Sequence, residues 1–181
     1  MARVRLIAPE AATAEQRAAF AEVGRQRGGA GNLFRALAHS PELMRRVGAL
    51  GAFLRFEAPL PARLREAVIL AVAGRWACAY ERQQHRPLAA RLGLGEAALA
   101  ALEAGQVPAE LTPLEATAVR YALALARDGQ ADDATVARLR AALGERGLVE
   151  LTALVGYYVL LALFLNGLAV DLDATPPLPS T

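Results

Sequence analysis

A thiol, two carboxylates and an imidazole fall within twenty residues of one another. Glu66 opens the run Glu-Ala-Val-Ile-Leu-Ala-Val-Ala-Gly-Arg-Trp-Ala-Cys-Ala-Tyr-Glu-Arg-Gln-Gln-His, which closes at His85. Cys78, Glu81 and His85 are spaced by three and four residues, so one face of a helix carries all three. Each type has a use. A deprotonated thiol is a nucleophile, an imidazole moves protons near neutral pH, and a carboxylate orients that imidazole. A buried Glu81 must find a partner or take up a proton, and His85 is the nearest candidate in sequence. The competing interpretation is structural, with Glu81 and His85 a satisfied pair and Cys78 a small buried hydrophobe.

Arg63, Arg65 and Arg75 flank Glu66 in sequence and are candidates to bind an anion, although arginines of this kind commonly face solvent or another subunit. Trp76 stands two positions before Cys78 and is a candidate cavity wall as well as a core residue. Tyr157, Tyr158 and Asn166 interrupt a late apolar stretch. Tyr158 and Asn166 lie eight apart, close to one helical face, which predicts a buried polar contact.

Helices must position these groups. The apolar residues are mostly alanine, leucine and valine, aromatic residues reach only 6%, and no strand pattern is evident. After an extended entry, Thr13 caps a first helix to about Gln26, and Gly28, Gly29 and Gly31 break it. A short helix ends near His39, a helix-end residue placed to interact with the dipole. Ser40-Pro41 starts the next, with Leu43, Met44, Val47, Leu50, Phe53 and Leu54 at helical spacing and an end before Pro59. Leu60-Pro61 opens another, which Gly74 interrupts or ends. A helix from about Trp76 to Ala90 follows, with Pro87 expected to kink or divide it. Gly93 and Gly95 precede a helix over residues 96–103. Thr112 caps residues 114–127, and Asp128-Gly129 turns into residues 132–143. Gly144 and Gly147 separate these from a last helix over about residues 148–168. The expectation is an all-α protein of seven to nine helices. It forms a single domain over residues 1–181, with a helical extension at 1–40 and an irregular tail at 172–181.

The 181 residues carry 20 basic and 18 acidic groups, and every basic one is arginine. The signs are interspersed, so nothing points to nucleic acid. Apolar content of 55% argues against disorder. The glycine cluster near residue 28 is not a phosphate loop, because the lysine of that motif is missing. One cysteine excludes an internal disulfide, and two histidines with one cysteine show no zinc-ligand spacing. The first ten residues lack the apolar core of a signal peptide, so a cytoplasmic protein is expected. The apolar run at 151–170 barely reaches spanning length. It reads as a buried helix, available to a subunit interface, rather than a membrane span.

The pattern Glu-x11-Cys-x2-Glu-x3-His, preceded by Leu-Arg-Glu and followed by Pro-Leu-Ala, resembles the carboxymuconolactone decarboxylase family, which includes the AhpD-like alkylhydroperoxidases. The core of the likeness spans residues 60–100, and the Ser40-Pro41 helix and the Tyr157, Tyr158 and Asn166 helix extend it. The resemblance implies an all-α, AhpD-like fold, a homotrimer or homohexamer, a small-molecule substrate and no cofactor. Its peroxidase branch uses cysteines at positions 78 and 81, with Glu66 and His85 as relay. Glu81 stands here where the resolving cysteine would be, so no internal disulfide cycle is available. A one-cysteine reaction survives, in which Cys78 forms a sulfenate that an external thiol resolves. Its decarboxylase branch carries a Tyr-Glu-x3-His run, here Tyr80 to His85. There His85 would be general acid or base, Glu81 its orienter and Glu66 a second relay. The resemblance thus implies, first, acid–base chemistry on a small carboxylated or lactone substrate. One-cysteine hydroperoxide reduction is the alternative, and a non-enzymatic oligomeric or ligand-binding protein is the third. The expected site comprises Glu66, Cys78, Glu81 and His85, with Arg63, Arg75, Trp76, Tyr80 and Tyr158 lining it.

Overall fold

The computed structural model describes residues 1–27 and 29–174; the break expected at Gly28 and the tail from residue 175 lie outside them. The described residues form eight α-helices and no strand. In chain order these are α1 (Ala14–Arg27), α2 (Asn32–Leu37), α3 (Pro41–Ala52), α4 (Ala62–Arg75), α5 (Ala79–Arg91), α6 (Glu96–Glu103), α7 (Pro113–Asp128) and α8 (Asp133–Gly167). A short 3₁₀ turn at Pro9–Ala11 precedes α1, and one π turn at Phe53–Glu57 prolongs α3.

Two compact units emerge, one of Met1–Glu57 with the end of α8 and the chain after it, the other Ala58–Leu163. In the first, α1 packs on α3. Asn32, at the start of α2, donates its amide to the Asp173 carboxylate at 2.7 Å and its side-chain amide to the carbonyls of Asp171 and Leu172. His39 bonds through Nε2 to the Arg5 carbonyl at 2.8 Å.

The second unit is organised by α4. Every residue from Glu66 to Ala73 is buried, so this helix is apolar nearly all round apart from one carboxylate, and α5, α6 and α7 pack against it. Gly74 allows the closest approach: a Cβ there would lie 2.4 Å from the Leu102 carbonyl oxygen on α6. At the start of α7, Thr112 and Glu115 form a reciprocal capping box, in which the Glu115 amide donates to Thr112 Oγ1 and the Thr112 amide to the Glu115 carboxylate.

Several boundaries differ from the sequence expectation. Ser40 occupies the cap of α3 without a side-chain hydrogen bond, so Pro41 and the backbone alone start that helix. Leu43 and Leu50, placed on the apolar stripe of α3 by spacing, lie about half exposed. Trp76 to Cys78 form a turn, not a first helical turn, and α5 begins at Ala79. Pro87 sits inside α5 without dividing it. Pro87 lies on the exposed face of α5, and packing on α4 holds the helix across it. Gly144 (φ 73°, ψ 173°) breaks α8 as expected. Beyond it, α8 is long and apolar enough to cross a membrane by length and composition, and half of its most apolar stretch is buried within the protein. Asn166 is exposed, which corrects the buried contact expected with Tyr158.

Candidate active site

The turn between α4 and α5 builds one side of the cluster. The helix α4 closes with paired bonds: Cys78 donates its amide to the Ala73 carbonyl at 2.8 Å, and Ala77 donates to Gly74 at 3.0 Å. This is the arrangement that glycine normally terminates, because the residue before the outer donor takes left-handed backbone angles. Here that residue is Ala77, at φ 48°. The turn hands the chain to Cys78, which is at once the last residue of the α4 cap and the N-cap of α5 (φ −81°, ψ 93°).

Cys78 is fully buried. Desolvation pushes its thiol up to about 11, and the charge of Glu81 adds to the rise, while the amides of Glu81 and Tyr80 and the charge of Arg82 act in the opposite sense. Cys78 occupies the N-cap position of α5 without a side-chain capping bond, so the first-turn amides act on its thiol only to moderate the rise.

One and two turns further along α5 stand Glu81 and His85, each 3% exposed. The imidazole joins three helices. Its Nδ1 lies 2.6 Å from Glu66 Oε2 on α4. An ionised carboxylate only accepts, so Nδ1 donates. Its Nε2 faces Glu81 Oε2 at 3.4 Å and the Tyr158 hydroxyl of α8 at 3.2 Å. Glu66, 1% exposed, also receives Arg65 Nε on Oε1 at 3.4 Å. Arg65 thus places a positive charge against the buried Glu66 carboxylate.

Glu66, Glu81, His85 and Tyr158 are thus brought together, with Cys78 at the head of α5. The spacing on α5 suggests Glu81 as the principal partner of His85, but the shorter contact is to Glu66, across the helix pair. Tyr80 is buried beside Cys78, and Trp76 is half-buried in the turn. The arginines divide. Arg63 is turned away to both carboxylate oxygens of Glu115. Arg75 is exposed, with its guanidinium 5.9 Å from the centre of the Trp76 ring. Arg65, of the three considered in sequence, is the one bonded to Glu66. The special backbone at Ala77 escaped sequence reasoning, and no residue type there signals it. Among the described residues, no group of three His, Cys, Asp or Glu side chains is arranged to hold a metal ion.

A sequence model of the carboxymuconolactone decarboxylase family matches residues 41–124, the stretch from α3 into α7 that holds Glu66, Cys78, Glu81 and His85. Residues 41–124 belong to the carboxymuconolactone decarboxylase family. Solved structures share the fold. An alkylhydroperoxidase AhpD core, an uncharacterized peroxidase-related protein from Ralstonia eutropha JMP134, matches with a TM-score of 0.80 at 19% identity, covering 96% of this chain and 93% of that one. A peroxidase-related protein from Silicibacter sp. TM1040 matches with a TM-score of 0.80 at 18% identity, over 96% and 92% of the two chains. A variant of the debrominase Bmp8, in complex with 2,3,4-tribromopyrrole, matches with a TM-score of 0.72 at 16% identity, over 89% and 87%. At these identities the likeness is one of fold. No curated protein matches the chain.

Proposed function

We propose that this protein is a one-cysteine, thiol-dependent hydroperoxide reductase, with Cys78 as the reacting residue and Glu81, His85 and Glu66 as its proton relay. The observation that carries this reading is the position of Cys78. Cys78 is buried at the N-cap position of α5, and the buried carboxylate–imidazole–carboxylate chain begins on the next turn. The peroxidase-related fold neighbours support the same reading.

Burial holds the resting thiol protonated, with its pKa at about 11, so the proton must leave during the reaction rather than before it. Glu81 accepts that proton and passes it to Nε2 of His85, whose Nδ1–H is already held by Glu66. The thiolate attacks the distal oxygen of the hydroperoxide and the O–O bond breaks. The departing alkoxide takes the proton back from the relay and leaves as an alcohol, and Cys78 becomes a sulfenic acid. A small external thiol attacks the sulfenic sulfur, forming a mixed disulfide and releasing water. A second such thiol restores Cys78 and leaves as the external disulfide. One hydroperoxide and two thiols thereby yield one alcohol, one water and one disulfide. Full burial of the sulfur favours a small substrate.

The raised thiol also favours a second reading, in which Cys78 is a bystander and His85 donates a proton to carbon after a small lactone acid loses carbon dioxide. Intact-mass analysis of the native protein, after a hydroperoxide pulse in the presence of a sulfenate trap, separates the two. The first reading expects rapid modification of the single cysteine, lost on denaturation and prevented by an external thiol. An inert native thiol would overturn it and leave His85 to be tested against carboxylated lactones.

A further inference from the structure

The helix α8 contributes one hydroxyl to the buried cluster. Tyr158 is 2% exposed, and its ring meets the His85 imidazole edge-to-face, 5.1 Å between centroids at 88°. Its hydroxyl lies 3.2 Å from Nε2, and Glu81 Oε2 lies 3.4 Å from the same nitrogen. These neighbours make opposite demands. An ionised Glu81 only accepts, so it favours a proton on Nε2; the Tyr158 hydroxyl can donate, so it favours Nε2 without one. Nδ1 has no such choice, because Glu66 holds its proton at 2.6 Å.

We propose that Tyr158 is a positioning residue that keeps Nε2 of His85 unprotonated at rest by donating its hydroxyl hydrogen there. This deepens the peroxidase reading and rests on it for its kinetic consequence. An imidazole protonated on both nitrogens has no capacity to accept the proton that leaves Cys78, whereas one held in the Nδ1–H tautomer by Glu66 and Tyr158 is ready for it. When the proton arrives through Glu81, the Tyr158 hydroxyl yields Nε2 and becomes an acceptor. The charged groups around the ring are Glu66 from α4, with Arg65 behind it, and Glu81 from α5; α8 contributes the neutral phenol. Tyr157 packs edge-to-face on Tyr158, with 5.3 Å between ring centres, so the ring stays in place when only its hydroxyl is removed.

The chain has two histidines, so nitrogen-15 imidazole labelling gives two sets of ring signals, and a His39→Gln control assigns them. The wild type near neutral pH should show His85 with Nδ1 protonated and Nε2 bare. Tyr158→Phe should move the Nε2 signal to its protonated position, facing Glu81, and Tyr157→Phe should leave it unchanged. In hydroperoxide turnover, Tyr158→Phe should lower kcat about 10-fold and leave KM within about twofold, as expected for a group acting through the general base. A wild-type Nε2 already protonated, or identical nitrogen signals in wild type and Tyr158→Phe, would overturn the assignment. Altered signals with an unchanged kcat would remove Tyr158 from the relay. A wild type without turnover would end the peroxidase reading, and the nitrogen signals would still decide what Tyr158 does to His85.

Discussion

The two ends of α5 are built with the same backbone bonds and different residues. Before the helix, Cys78 and Ala77 donate to Ala73 and Gly74; after it, Leu94 and Gly93 donate to Ala89 and Ala90. The left-handed position is Gly93 at φ 84° in the second turn and Ala77 at φ 48° in the first. Glycine adopts such angles freely, whereas an alanine there costs about 1 kcal/mol. The residue after it is Leu94, a buried apolar anchor, in one turn and the buried thiol of Cys78 in the other. The unstrained turn ends a helix; the strained one also delivers a buried cysteine to the N-cap position of the next helix. One capping geometry thus anchors an apolar side chain at one end of α5 and a buried thiol at the other.

The comparison breaks most sharply at the two anchors. Cys78→Ser should lower hydroperoxide reduction by about three orders of magnitude or more with a native melting profile, since only the reacting atom is removed. Leu94→Ala should do the reverse, costing about 2–4 kcal/mol in denaturant unfolding while the native fraction keeps its rate per site. A Leu94→Ala variant that loses activity and keeps stability would dissolve the distinction.

The pH dependence of stability isolates the thiol. Its folded-state pKa of about 11 lies above the unfolded value of 9.0, so its contribution is full below pH 9 and is lost as pH rises through 11. Wild-type stability in that window should therefore fall more steeply than that of Cys78→Ser, by up to about 1.4 kcal/mol per pH unit. Parallel curves from unfolding titrations at matched pH would show that the thiol is not desolvated.

The smallest effects come from exchanging the left-handed residues. A Cβ on Gly93 meets nothing within 4 Å, so Gly93→Ala tests the backbone angle alone and should cost about 1 kcal/mol, lowering Tm by about 2–4 °C. Ala77→Gly should raise stability by about 1 kcal/mol or slightly less and slow the Cys78 reaction a few-fold, because a freer turn holds the sulfur less firmly over α5. No gain in Tm would show that Ala77 carries no strain.

Local rules made most of the helices legible. Pro41 in a first turn, Thr112 as a cap, and glycines at positions 93 and 129 each act within a few residues of themselves, which is the range a sequence displays directly. The turn at Trp76 to Cys78 was hidden because Ala77 is a good helix former that here takes left-handed angles. Pro87 misled for the converse reason, since a helix braced along α4 tolerates a break that an isolated one would not. The half-exposed Leu43 and Leu50 show that periodicity marks an apolar face without saying whether the protein covers it.

The candidate site divides along the same line. That Cys78, Glu81 and His85 share one stripe of α5 follows from spacing alone, because three- and four-residue intervals return to the same face of a helix. Spacing does not reveal that Glu66, nineteen residues before His85, takes its Nδ1, that Tyr158, seventy-three residues after it, reaches its Nε2, or that Arg63 turns to Glu115 instead. Those pairings depend on how α4, α5, α7 and α8 pack, and the packing is set by the summed burial of many apolar side chains rather than by any of the polar residues it brings together.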